Sequence, residues 1–178
     1  MVVDFHPLRA GYVAVFALSA LVCFWAVARA RGRVEDRDTQ WGLVTLLALS
    51  GVWAAFHVGR LVAPPSTLKL TFYVLGLTVG LATVGSWLYF CSAYAGESYH
   101  RQRGFRWAAV AVYVAVVAVK LTSPVHGLYF STADAVAPFP HLEIQLGVLH
   151  WVVTGLAYAL SAVGFYILFD LFQDSTHA

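Results

Sequence analysis

Five long apolar runs alternate with short polar breaks along this chain. The runs cover about 8–28, 41–63, 68–95, 105–122 and 147–172. A helix that crosses a membrane needs about 20 mainly apolar residues in succession, and each run is close to that length. The run at 105–122 is the shortest, and that at 68–95 is long enough to tilt or to project beyond the bilayer. Inside lipid a helix satisfies its own backbone, whereas a strand needs a closed barrel. The valine-rich AVAVYVAVVAV at 109–119 therefore reads as helix. The pattern predicts an all-α integral membrane protein with five transmembrane helices, one domain over 1–178, and a loop at 123–146.

Composition agrees. The 178 residues are 60% hydrophobic and 11% charged, against about 25% charged in an ordinary soluble domain. Mean hydropathy is +0.73. Cys23 and Cys91 both lie in apolar runs and suggest small packed hydrophobes, not a disulfide framework.

Charge position carries more than the net +2. Arg29, Arg31, Arg33 and Arg37 crowd the first loop, and Arg101, Arg103 and Arg106 the third. The positive-inside rule makes those loops cytoplasmic, with the N-terminus outside and the C-terminus inside. Trp41 and Trp107 then fall at the inner interface and Trp151 at the outer. A signal-peptidase reading of AVA before Arg29 is disfavoured by the weakly basic stretch ahead of it.

On this topology the polar minority gathers at the outer side. His57 and Arg60 are three apart on the second helix, so they share a face. Lys120 ends the fourth helix, where it is expected to snorkel outward. His126, His141 and Glu143 occupy the outer loop, with Tyr129 and Phe130, and His150 and Trp151 open the fifth helix. His150, Thr154, Tyr158 and Ser161 form a stripe expected to face the bundle. Gly76 and Gly80 form a G-x-x-x-G on the third helix, suited to close helix packing. Pro124 and Gly127 in TSPVHGLYF (122–130) read as a helix stop. Every other proline falls in a loop or, for Pro7, ahead of a helix.

No nucleophile elbow, zinc-protease motif, phosphate loop or kinase signature occurs. The sequence therefore predicts no catalytic residue, no metal site, no cofactor and no nucleic-acid partner. The residues are open to three readings: a sensor, a non-sensory scaffold or small transporter subunit, and a haem-bearing electron-transfer protein with His57 and His150 as axial candidates. No internal repeat or mid-membrane helix break favours transport.

The stretches KLTSPVHGLYFS (120–131) and PFPHLEIQLGVLHWVVTGLAYAL (138–160), with the arginines at 101–106 ahead of the fourth helix, carry a resemblance. The chain resembles the N-terminal seven-transmembrane sensor region of histidine kinases, especially the archaeal ones. That resemblance implies a plasma-membrane signal-input module of a two-component system, with PAS-type and kinase output domains and a homodimer as the usual reader. It implies a truncated seven-helix bundle, since five spans are present. The ligand-binding set expected on chemical grounds is His57, Arg60, His126, Tyr129, Phe130, His141, Glu143, His150 and Trp151, at the outer side. The signal is expected to be a small molecule, pH or membrane state.

Overall fold

The computed structural model describes residues 7–64, 66–137 and 141–176. Asp4, Pro65, Pro138 and Pro140 lie outside the described residues. Five helices are long and apolar enough to cross a membrane. They are α1 (Pro7–Arg31), α2 (Arg37–Val62), α3 (Ser66–Tyr94), α4 (Arg103–His126) and α5 (Val148–Thr176). At 1.5 Å per residue the shortest still exceeds the bilayer's hydrocarbon core. Successive helices run up and down, so one end of the bundle collects the loops rich in arginine. The other collects the α2–α3 and α4–α5 connections.

The α4–α5 connection departs from an all-helical architecture. It folds as an antiparallel hairpin of β1 (Phe130–Ala135) and β2 (His141–Leu146), registered Phe130 against Leu146 and Ala135 against His141. The physical reason is visible in HLEIQL, where apolar Leu142, Ile144 and Leu146 alternate with polar partners.

Helix α3 is the hub, packed on α2, α4 and α5, while α1 leans on α2. Small residues let the backbones close in. A Cβ at Gly42 would stand 2.7 Å from the Cα of Phe90. Gly76 faces Phe56 and the His57 ring, and Gly80 faces Trp53, so the α3 glycine pair meets α2 within the same chain. On the α5 side, Trp87 Nε1 donates to the Ser161 carbonyl at 3.1 Å, and Gly164 lies beneath that indole.

Three local expectations are corrected. Pro124 does not end α4; it lies inside the last turn, and the helix continues to His126. The stop is Gly127, which turns left-handed at φ 67° and whose N–H donates to the Ser123 carbonyl at 2.7 Å. A helix C-terminus commonly closes this way, because only glycine adopts that conformation without steric cost. Pro7 is the first residue of α1, where its missing N–H has no partner to lose. Tyr158 does not join its stripe in facing the bundle. It is 74% exposed, because the α3-facing side of α5 passes through Ser161 and Gly164.

Candidate functional site at the hairpin end

Two residues of the α4–α5 connection are almost wholly buried: Tyr129 at 2% exposure and Phe130 at 1%. Their position is fixed from both sides. The Ser123 hydroxyl donates to the Phe130 carbonyl and accepts from the Phe130 N–H, both at 2.9 Å. Gly147 N–H donates to the Tyr129 carbonyl at 2.9 Å, and Leu149 N–H to the Leu128 carbonyl at 3.1 Å. Farther out, Ser66 at the start of α3 donates to Asp134 at 2.9 Å. The hairpin is thereby tied to α3, α4 and α5.

Beneath this roof sits Lys120, which overturns the expectation of a snorkelling surface lysine. It is 2% exposed. Its ammonium donates to the Leu77 carbonyl of α3 at 2.8 Å and lies 5.3 Å from the centre of the Tyr129 ring. No carboxylate of the described residues lies within ion-pair distance of it; Asp38, at the other end, holds the described ion pairs. The position in α4, more than one turn inside the helix end, keeps the stem from reaching the surface past the roof. A desolvated cation without a counter-charge is costly, and within a membrane bundle such residues concentrate at functional sites.

Tyr129 also meets His150, ring centres 5.4 Å apart and nearly perpendicular. His150 Nδ1 is buried and finds no hydrogen-bond partner among the described residues. Phe130 meets Tyr73 edge to face at 5.1 Å, and the Arg60 guanidinium lies 5.3 Å over the Tyr73 ring. Cations and rings thus run from Arg60 through Tyr73, Phe130 and Tyr129 to His150, with Lys120 below. Burial pushes the Tyr129 phenol up to about 12, so it stays neutral at any physiological pH.

The structure therefore brings Arg60, Tyr129, Phe130 and His150 into one cluster and leaves the other expected residues outside it. His57 is stacked between Phe16 of α1 and Trp53, 4.7 and 4.3 Å away, with Nδ1 at 3.1 Å from the Trp53 carbonyl. It belongs to the α1–α2 seam, so no shared site unites it with His150. His126 is exposed and closes its own turn: Leu128 N–H donates to its Nδ1 at 3.0 Å, and Thr122 lies 3.1 Å from Nε2. Glu143 points outward from β2 opposite Ala133, and His141 ends the described ladder opposite Ala135. Trp151 is exposed beside His150. Lys120, Tyr73 and Ser123 complete the cluster; none of the three is in the expected ligand-binding set, although Lys120 was expected at the same outer side.

A second polar cluster lies at the arginine-rich end. Asp38 accepts from Arg101 Nε at 3.0 Å and lies 3.2 Å from His100 Nε2. The His100 ring is buried, with Nδ1 at 3.1 Å from Ser92, and Tyr89 donates to Asp38 at 3.5 Å. The pairing with Asp38 raises the Arg101 pKa further. This network joins the start of α2, the end of α3 and the short 3-10 turn Tyr99–Arg101 ahead of α4. Its acid and base lie 63 residues apart, a separation that no local motif reveals.

Against known families, residues 11–178 match the model of the N-terminal 7TM region of histidine kinase. The chain belongs to that family. It is accordingly part of a multi-pass plasma-membrane region of histidine kinases, the sensor proteins of two-component systems; the five described spans carry it, and the kinase domain is not among the described residues. No curated protein and no solved structure matches the chain.

Proposed function

We propose that this 7TM-family chain is a signal-input module whose stimulus acts at the hairpin end. The single observation behind the reading is Lys120, a buried cation held by one carbonyl and one ring under a strapped-down hairpin. The His150 Nδ1 beside Tyr129, unpartnered among the described residues, supports it. The seven arginines at the opposite end argue that the hairpin end is extracytoplasmic, with the N-terminus outside. The stimulus is a small molecule with an aromatic or apolar body and an acidic group. Its acid pairs with Lys120, and its body takes the place of Tyr129 against Phe130 and His150. Occupancy favours one of two packings of α4 and α5 on α3, and a kinase-type output in a dimer reads the difference.

The test is thermal unfolding of the purified chain in lipid nanodiscs, with a panel of aromatic carboxylates from benzoate to indole acetate. At least one should raise the midpoint of the wild type and leave Lys120→Met and His150→Phe unmoved. The reading is lost if the shift survives both substitutions, or if no carboxylate shifts the wild type.

A further inference from the structure

A groove of about 270 Å³ opens between α2 and α3 at the arginine-rich end, far from the hairpin. Trp41, Gly42 and Thr45 line it from α2, and Gly85, Ser86 and Tyr89 from α3. It therefore runs about one helical turn into the apolar span along each helix. A Cβ at Gly85 would meet nothing within 4 Å, so the space over that residue is open. The Ser86 hydroxyl is turned back onto its own helix, donating to the Ala82 carbonyl at 3.2 Å, which leaves the walls to the Trp41 and Tyr89 rings, Thr45 and the two glycines. The rim is different in character. Tyr89 donates upward to Asp38, which Arg101 also binds, and Arg106 follows in the first turn of α4. The Arg101 side chain is 71% exposed and Arg106 is exposed, so both can turn toward a headgroup.

An apolar slot that starts at a cationic rim, level with the exposed indole of Trp41, matches the layout of an amphiphile: charge at the interface, chain in the hydrocarbon. We propose that this groove binds an anionic phospholipid, with an acyl chain against Thr45 and Gly85 and the phosphate on Arg101 and Arg106. The phosphate competes with Asp38 for Arg101. Lipid occupancy is thereby coupled to the link between α2 and the 3-10 turn ahead of α4, independently of any stimulus at the hairpin end.

The experiment is native mass spectrometry of the whole chain released from nanodiscs of equal phosphatidylglycerol and phosphatidylcholine. Wild type should retain phosphatidylglycerol over phosphatidylcholine by about fivefold, the weight of about one interfacial arginine. Arg106→Ala should shrink that preference, and Arg101→Ala combined with it should bring the two lipids to parity. Gly85→Leu, which fills the open space without a backbone clash, should remove the retained lipid while leaving the unfolding midpoint in place. Thr45→Leu narrows the same groove from α2 and should give the same loss, should Gly85→Leu express poorly. Equal retention of both lipids by wild type, or full retention by both groove-filling variants, overturns the proposal. A change in oligomer distribution in those variants, with lipid retention unaltered, assigns the groove to a second copy and overturns it as well.

Discussion

The Ser123 hydroxyl makes both hydrogen bonds of one peptide residue: it donates to the Phe130 carbonyl and accepts from the Phe130 N–H, each at 2.9 Å. Ser123 has no solvent exposure, so nothing else is at hand to satisfy that backbone. One side chain in α4 thereby sets where β1 begins and holds the aromatic roof over Lys120. Ser123→Ala would orphan a buried N–H and C=O. The expected cost is about 1–3 kcal/mol for each group left unsatisfied, seen as a lower unfolding midpoint. Limited proteolysis should also cut within 130–146 sooner than in wild type. Unchanged proteolysis would mean that the Gly147 and Leu149 hydrogen bonds alone hold the hairpin.

Lys120 contributes differently. Its desolvation is offset by one carbonyl and one ring, and breaking even with an apolar group of similar volume is hard for a buried charge. Lys120→Met should therefore keep or raise stability, by about 2–4 °C for each kcal/mol gained. Lys120→Ala, which leaves a void beside Tyr129, should lower it. A fall of the same size in both variants would make the ammonium a structural element and remove the argument for its functional use.

Asp36 caps α2, accepting from the Thr39 N–H at 2.7 Å. The Thr39 side chain first, and this N–H second, hold its carboxyl below the ordinary value of 3.8. A carboxyl with a depressed folded pKa contributes stability that is fully present above its unfolded value. The contribution is lost as pH falls through the lower folded one. Amide exchange at Thr39 and Gln40 should accordingly speed up relative to the rest of α2 only below about pH 4. Asp36→Asn caps without titrating and should flatten that dependence. A flat wild-type profile would remove the cap from the account.

The five spans and the two polar ends were legible because hydrophobic length and arginine position are local signals. The bounds of α2 and α3 sit within a few residues of the apolar runs. What escaped was either masked by a stronger signal or long-range. HLEIQL alternates like a strand, yet its six residues sat in a segment classed as loop beside runs of twenty. Pro124 read as a stop because its local effect is strong, while the hydrogen bond that lets α4 reach Gly127 is made by the backbone. Lys120 read as a surface lysine because nothing local announces that Tyr129 folds back over it. Tyr158 fell on an inward stripe by spacing, but α5 packs chiefly on α3 among the described helices, and that contact turns Tyr158 away. The pairing of Asp38 with His100 and Arg101 had no signature at all, because it is made only when α2 and α3 lie side by side.

Close approach of α2 and α3 gives the sharpest steric test. A methyl at Gly42 would lie 2.7 Å from the Cα and 3.0 Å from the N of Phe90. These are backbone atoms inside a helix, and they cannot swing away as a side chain can. Gly42→Ala must therefore push the two helices apart at the end where Asp38 meets Arg101 and His100. Overpacking of this kind costs about 1–3 kcal/mol, and the lost alignment should also weaken that ionic network. Gly155→Ala is the matched control: its new Cβ meets nothing within 4 Å, and it gains up to about 1 kcal/mol of helix propensity. Denaturation in detergent should thus move the two variants in opposite directions. Equal stability of the two glycine variants would show that α2 and α3 do not approach as closely at Phe90 as the packing requires.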